Sequence, residues 1–217
     1  MIKKTITWHA ALAAAALMAC GSDDASEIDH VSRTAHDATA DAEPARYVGE
    51  VQDSDVRVGV VADAEHARVF FCGGDDSFAT ATRWFNLEVH DGELTADDGD
   101  WHLRATLGDA GVDGEITHDP GAARPFTTTR IVEGTLSGLY EGKSQCGRLG
   151  LIVNQPRKGG SIDAQGACVG DGHPPEQVNP ITPITLESDK IRVEAPPPSQ
   201  DTADAEVLLQ VATLTPL

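Results

Sequence analysis

The sequence is poor in aromatic residues and in positive charge. Aromatic side chains make up 5% of its 217 residues, and 16 Lys and Arg stand against 35 Asp and Glu, which leaves a formal net charge of −19. The 40% of hydrophobic residues are nevertheless too many for a wholly disordered chain. The acidic excess opposes nucleic-acid binding, which depends on Lys and Arg neutralising phosphates. We therefore expect one modest globular core and no nucleic-acid partner.

The central part of the sequence lacks the capped helical repeat that a βαβ crossover requires. Phe78–Trp84 is a modest helical candidate, whereas short apolar or alternating runs recur with Gly and Asp between them, as is typical of antiparallel sandwiches and barrels. Asp91-Gly92 is a good two-residue hairpin turn because both residues tolerate positive φ. The expected strands are Tyr47–Gln52, Val56–Ala62, Ala67–Cys72, Arg83–His90, Glu93–Ala96, Trp101–Leu107, Val112–Thr117, Pro125–Ile131, Arg148–Val153 and Ser161–Val169.

The N-terminal segment, residues 1–19, has the order of an export signal. Lys3 and Lys4 precede an uncharged apolar run that is shorter than the roughly 20 residues a bilayer span requires. This run ends in Leu17-Met18-Ala19-Cys20, which resembles the lipobox of bacterial lipoproteins. The resemblance implies a signal peptide cleaved before Cys20 and attachment of acyl chains, palmitate among them, to the Cys20 thiol. The alternatives are an ordinary secretory signal or a short membrane anchor with a coincidental cysteine.

A lipidated Cys20 predicts a protein of the cell envelope, held at the membrane by its acyl chains. Gly21 follows the cysteine where the enteric inner-membrane retention signal has Asp, so the outer membrane is expected rather than the inner membrane. Residues 20–45 are acidic with little apolar periodicity and are interpreted as a disordered tether. A short helix over Ala35–Ala42 is the competing interpretation.

Two segments follow the tether. Residues 46–169 are expected to form an all-β domain, a single antiparallel barrel or sandwich. Residues 170–217 hold 8 of the 12 prolines and are expected to form a Pro-rich extension. Its apolar runs, Ile181–Val193 and Val207–Leu214, could each add an edge strand, so we expect partial docking.

The β region carries a second resemblance, to a small β domain that recurs in exported proteins and lipoproteins of bacteria. It covers roughly residues 46–163, and it implies packing and turn roles without an activity. The residues that carry it are Tyr47-Val48-Gly49, Val69-Phe70-Phe71-Cys72-Gly73-Gly74, Trp84-Phe85, Gly138-Leu139-Tyr140-Glu141 and Gly150-Leu151-Ile152-Val153.

Three cysteines remain once Cys20 is assigned to the lipid. Cys146 and Cys168 flank two expected strands joined by a turn, so an antiparallel hairpin would bring them together as a disulfide. Cys72, at the end of an apolar strand, is then a buried free thiol. A bridge that includes Cys72, or a reactive Cys72 thiol, is the alternative.

Several short motifs invite a function but are better explained as structure. Gly142-Lys143-Ser144 matches the end of a phosphate-binding loop, yet Ser137 occupies the leading glycine position, and Gly138-Leu139-Tyr140 is interpreted as a turn with a packed aromatic residue. The acidic runs Asp75-Asp76 and Asp97-Asp98-Gly99-Asp100 could attract calcium but are typical of solvated turns.

The histidines show no metal-binding or catalytic spacing. They occur singly, and neither a His-Glu-x-x-His pattern nor a Gly-x-Ser-x-Gly elbow is present. No catalytic, cofactor-binding or metal-binding residue is therefore assigned, and no cofactor is expected. The favoured hypothesis is a non-catalytic, lipid-anchored β domain that binds an unknown protein or small molecule, or has a structural role. The alternative is an exported hydrolase or metal-dependent enzyme, which would require His66, His90 and His102 to converge with nearby aspartates.

Overall fold

The computed structural model describes residues 43–118, 120–170, 172–195 and 205–211, the last of these as backbone. Its strands pair in antiparallel ladders that close into barrels, so the expected all-β antiparallel fold is confirmed. The strands divide between two closed barrels. The predicted signal peptide, the predicted lipidation site Cys20 and the predicted tether up to residue 42 lie outside the described residues.

The first barrel is an up-and-down meander that closes when β1 pairs with β8. At this seam Gly49 lies opposite Thr128, and a Cβ on Gly49 would lie 2.0 Å from the Thr127 carbonyl oxygen. The strands can therefore meet because Gly49 has no side chain. They are β1 (Ala45–Val51), β2 (Arg57–Ala62), β3 (His66–Cys72), β4 (Arg83–His90), β5 (Glu93–Asp98), β6 (Trp101–Leu107), β7 (Val112–His118) and β8 (Arg124–Arg130).

The second barrel closes when its last strand, β14, pairs with its first strand, β9. The Pro-rich extension therefore contributes three strands to it, β12–β14. The prediction of a turn at Gly138-Leu139-Tyr140 was wrong, because these three buried residues begin a strand, whereas the packed aromatic residue, Tyr140, is confirmed. The strands are β9 (Gly138–Ser144), β10 (Gly147–Asn154), β11 (Asp163–Val169), β12 (Glu176–Pro180), β13 (Lys190–Ala195) and β14 (Ala205–Val211).

Local sequence patterns explain much of the first barrel. Val56, Val58 and Val60 are buried in its interior, as the alternation in the sequence predicts. Asp91 and Gly92 form the β4–β5 turn with φ of 53° and 79°. Of the predicted helix Phe78–Trp84, only one helical turn is present, α1 (Phe78–Ala81). Within the described residues, no helix combines the length and the apolarity needed to cross a membrane.

The two barrels pack against each other through the outer faces of their first strands. In β3, Val69 and Phe71 point into the first barrel, whereas Phe70 and Cys72 join a separate cluster with Leu139 and other residues of the second barrel. A strand that is buried on both faces needs a continuous apolar run. The interface therefore explains why Val69-Phe70-Phe71-Cys72 is unbroken by polar residues.

Ion pairs between the two barrels accompany this apolar interface. The Glu141 carboxylate accepts hydrogen bonds from Arg68 at 2.9 Å and from Arg148 at 3.0 Å, and all three side chains are mostly buried. The Arg148 guanidinium also lies 3.6 Å from the ring centroid of Trp84. On the other side of the interface, Arg57 bonds Asp163 at 2.6 Å. Partly buried pairs of this kind hold two surfaces in one register.

Replacing Gly150 with Ala tests the packing between the barrels. A Cβ on Gly150 would lie 2.6 Å from ring atoms of both Phe70 and Trp84. We expect Gly150→Ala to lower the free energy of unfolding by about 1–3 kcal/mol, the usual cost of overpacking, as measured by urea denaturation. Gly138→Ala is the matched control because its Cβ would meet Tyr140 at an ordinary 3.5 Å. Equal stability of the two variants would contradict this interface.

Candidate functional site

One end of the first barrel is open and holds a cavity of about 820 Å³. We call this cavity the barrel mouth. The connections β1–β2, β3–β4, β5–β6 and β7–β8 all lie at this end, because the strands alternate in direction around the meander. The Tyr47 ring is buried in the interior, and its hydroxyl donates a hydrogen bond to the carbonyl oxygen of Gly108, which lies in the β6–β7 connection at the opposite end. The two ends of the barrel therefore differ, with the bonded Tyr47 at one end and the cavity at the other.

Interior side chains form the floor of the mouth. Phe71, Trp101 and Ile116 line the cavity together with Val51 and Val56. These residues stand at or beside the ends of strands, where the inward alternation carries them to the open end. The floor of the mouth is therefore apolar and closely packed, with each of these side chains at most 9% exposed.

The aromatic residues of the first barrel are concentrated near the mouth. Phe71 makes edge-to-face contacts with Phe126 at 5.3 Å and with Phe85 at 5.9 Å between ring centroids. Phe85 in turn contacts Trp101, which stacks on His118 at 4.3 Å. This contiguous set fixes the orientation of the rings on the floor of the cavity.

Polar and charged residues form the rim of the mouth. Its carboxylates are Asp53, Asp55 and Asp76, and Arg124 contributes a guanidinium. Arg124 lies 3.4 Å from the Ser54 hydroxyl and makes no ion pair among the described contacts. An apolar floor beneath a small number of polar groups is the usual composition of a small-molecule site.

Asp55 positions the β3–β4 connection over the rim. Its carboxylate accepts hydrogen bonds from the Ser77 hydroxyl and from the Asp76 backbone N–H at 2.9 Å. The bond from Ser77 is the main reason that the pKa of Asp55 lies below its ordinary value. The Asp55 carbonyl also accepts a bond from the Gln165 side-chain amide at 3.0 Å, which ties the mouth to the second barrel.

Two other cavities lie between the barrels. One, of about 690 Å³, is lined by Arg46, Arg130 and Lys190 together with acidic residues, and the other, of about 670 Å³, by Asp163, Gln165 and other polar residues. The first includes the buried ring of Tyr140, but neither reaches the interior of the first barrel. The barrel mouth is therefore the best candidate for a ligand site.

The three histidines that the enzyme alternative required do not converge. His66 begins β3 and His90 ends β4, whereas His102 pairs with Asp97 at the other end of the β5–β6 hairpin. His90 lies opposite Glu93 of β5, and His102 lies opposite Asp97 of the same strand. The two histidines are therefore four residues, or roughly 14 Å, apart along the strand direction. Among the described residues, no group of three or more His, Cys, Asp or Glu side chains could hold a metal ion.

The acidic turn at Asp97-Asp98-Gly99-Asp100 forms ion pairs with its neighbours. Asp97 contacts the His102 ring nitrogen at 2.7 Å and the Arg104 guanidinium at 3.0 Å, and these contacts lower the pKa of Asp97. Asp98 pairs with Arg83. The solvated-turn interpretation agrees with this arrangement. Gly142-Lys143-Ser144 lies within β9 rather than in a loop that could enclose a phosphate.

The cysteine predictions are confirmed within the described residues. Cys146 and Cys168 form a disulfide with their Cα atoms 6.1 Å apart, and the β10–β11 hairpin brings them together. Cys72 is a free cysteine, fully buried between the barrels. Burial raises the pKa of its thiol to about 12, so the nucleophilic thiolate is scarce at neutral pH.

No local sequence pattern marks the residues of the mouth. The sequence predicts that Phe71, Trp101 and Ile116 lie in strands, but it gives neither the direction of these strands nor the end of the barrel at which a cavity forms. The available signal was the meander itself. Residues next to every second turn must share one end of an up-and-down barrel.

Comparison with protein-family models, with curated proteins and with solved structures finds no match for this chain. The candidate site is therefore defined by its geometry alone.

The reactivity of Cys72 tests its burial. In a chain that carries Cys20→Ser, we expect 5,5′-dithiobis(2-nitrobenzoate) to leave the native protein unlabelled at pH 8 and to label one thiol after denaturation in guanidinium. The physical reason is the exclusion of both solvent and reagent from the thiol. A chain that also carries Cys72→Ser is the control and should release no chromophore in either state. Rapid labelling of the native protein would contradict the assignment.

Proposed function

We propose that this protein is a lipid-anchored bacterial cell-envelope protein whose first barrel binds a small molecule at its mouth, without catalysis. Cys20 would carry the acyl chains, with the outer membrane as the expected location. Residues 21–44 would separate the lipid from the start of β1 by at most about 80 Å. Two or more acyl chains would make this attachment effectively permanent.

The observation that carries the binding proposal is the open end of the first barrel. Its cavity of about 820 Å³ falls within the range of known ligand sites, roughly 300–1,000 Å³. Up-and-down barrels of eight strands can hold one small ligand in their interior. The floor supplies apolar contacts through Phe71, Trp101 and Ile116, and the rim supplies polar groups that could orient a ligand.

The chemistry of the mouth favours binding over catalysis. His118, the histidine among the lining residues, stacks on Trp101. Asp55 holds the β3–β4 connection, and the low pKa of its carboxyl makes it a weak base. The Cys72 thiol is outside the cavity and is fully buried.

Lipid attachment is tested by metabolic labelling with an alkyne fatty acid. We expect the wild-type protein to incorporate the label and Cys20→Ser to lose it, because the Cys20 thiol is the acyl acceptor. Cys72→Ser is the matched control, since it removes a cysteine that cannot be reached in the folded protein. Undiminished label in the Cys20→Ser variant would refute the proposed anchor.

Binding at the mouth is tested with the neutral fluorophore N-phenyl-1-naphthylamine. We expect saturable fluorescence enhancement with the Cys20→Ser chain, because the probe fits an apolar cavity of this size. Ala81→Phe should weaken binding about tenfold or more, since Ala81 lines the mouth and packs on the interior residues.

Ala79→Phe is the matched control for Ala81→Phe. Ala79 lies on the same helical turn but is exposed and does not line the cavity. It should bind the fluorophore like the unsubstituted chain. The absence of saturable enhancement, or equal binding by the two phenylalanine variants, would overturn the proposal.

A further inference from the structure

The wall of the first barrel has a break in its strand pairing, between β4 and β5. Within residues 83–98, all of which the structure describes, these two strands pair at only two positions, both next to their turn. On their other sides both strands are regular, because residues 83–88 all pair with β3 and residues 93–98 all pair with β6. The break therefore separates two intact strand edges.

A cleft of about 490 Å³ occupies this break, and we call it the β4–β5 cleft. Every described residue that lines it belongs to one of these two strands, and none of them lines the barrel mouth. The paired turn closes one end of the cleft, and the ion pair between Arg83 and Asp98 crosses the other end. The cleft is therefore a separate site in the wall of the barrel.

Backbone groups of β4 face the cleft without a strand partner. The N–H and C=O groups of successive residues point to opposite sides of a strand. The Val89 N–H donates a hydrogen bond to the carbonyl oxygen of Glu65, on the β3 side, at 2.8 Å. By alternation from Val89, the backbone groups of Asn86 and Glu88 point away from β3 and into the cleft.

The facing edge of β5 has the same character. The Gly92 carbonyl oxygen accepts a hydrogen bond from the Leu107 N–H, on the β6 side, at 2.7 Å. By alternation from Gly92, the backbone groups of Thr95 and Asp97 point toward β4. Two rows of backbone donors and acceptors therefore face each other across the cleft. An extended peptide is the ligand whose own backbone pairs with such an edge.

The side chains beside the cleft specify the pattern of such a peptide. Leu87 and Ala96 pack toward the interior of the barrel, whereas Asn86, Glu88 and Thr95 are exposed. An added strand would continue this alternation, so its inward residues would be apolar and its outward residues polar. Because Leu87 is only 8% exposed, the inward residues are limited to a modest size.

The charge on the outer side of the cleft favours basic outward residues. The Glu88 side chain is 67% exposed, and in the described contacts its carboxylate meets the ring of His90 but no lysine or arginine. The net charge of −19 on the whole chain also attracts cations. A lysine that projects outward from the added strand would therefore find a carboxylate beside it.

We propose that the β4–β5 cleft binds an extended peptide of a partner protein, in which apolar residues of modest size alternate with basic residues. The peptide would lie along β4 as an added strand, with its backbone bonded to Asn86 and Glu88. Its basic side chains would lie near the Glu88 carboxylate. This surface goes beyond the proposed ligand site at the mouth and does not depend on it.

Amide hydrogen exchange tests whether the β4 edge is open. By NMR on the Cys20→Ser chain, we expect the N–H groups of Asn86 and Glu88 to exchange at least about tenfold faster than those of Phe85 and Leu87. Phe85 and Leu87 are internal controls, because they lie on the same strand and their N–H groups point toward β3. Equal protection of all four N–H groups would overturn the proposal.

A fluorescein-labelled heptapeptide in which Lys and Val alternate tests binding. By fluorescence anisotropy with the Cys20→Ser chain, we expect this peptide to bind saturably and to slow the exchange of the Asn86 and Glu88 N–H groups. A shuffled isomer with its valines grouped, and an isomer N-methylated at alternate residues, should each bind at least about tenfold more weakly, because the first loses the alternation and the second loses N–H donors. Absence of saturable binding, or equal binding of the three peptides, would overturn the proposal.

Glu88→Arg locates the peptide on the barrel. We expect this substitution to weaken binding of the alternating peptide about tenfold, because it replaces an attraction with a repulsion. Glu115→Arg is the matched control, since Glu115 is exposed on β7 and does not line the cleft, and it should bind like the unsubstituted chain. Equal effects of the two substitutions would overturn the proposal. Both variants should bind N-phenyl-1-naphthylamine normally, so failure at the cleft is distinguished from failure at the mouth.

Discussion

The pairing of β1 with β8 is the constraint on which the rest of the structure depends. This ladder converts a meander of strands into a closed wall with an interior. Gly49 allows the close approach, and the buried Thr128 hydroxyl bonds both backbone groups of Val112 at 2.9 and 3.2 Å, which fastens β8 to the neighbouring β7. Without closure, the residues on the floor of the mouth would lie on an open sheet, and no cavity would enclose a ligand.

Most of the scarce aromatic residues of the described region are used in two places. Phe71, Phe85, Trp101 and Phe126 contact one another near the mouth, and Phe70 stacks on Trp84 at the interface between the barrels. Large rings bury the most area per residue. A chain with 5% aromatic residues therefore stabilises its barrel contact with one set, and two members of the other set, Phe71 and Trp101, line its candidate site. The second barrel, whose interior is mainly aliphatic, supports the first through this contact.

The charged residues are similarly divided between structure and the candidate site. Most arginines of the described region are engaged with carboxylates, as in the Arg68–Glu141–Arg148 cluster and the Arg104–Asp97 pair. Asp53 and Asp76 at the rim form no ion pair among the described contacts, so their charge remains available to a ligand. The burial of Cys72 between the barrels is consistent with this division.

Local sequence alone determined those strands and turns whose signal comes from residues only a few positions apart. The alternation at Val56, Val58 and Val60, the Asp91-Gly92 turn and the Cys146–Cys168 hairpin all depend on near neighbours, and all were predicted. The strand at Gly138–Ser144 was missed because its burial comes from the closed second barrel, which requires pairing with β14, far along the chain, as well as with the adjacent β10. The division of the strands into two barrels and the position of the mouth were likewise decided by tertiary structure. The physical reason is that barrel closure joins residues such as Val48 and Thr129, whose separation along the chain carries no local signal.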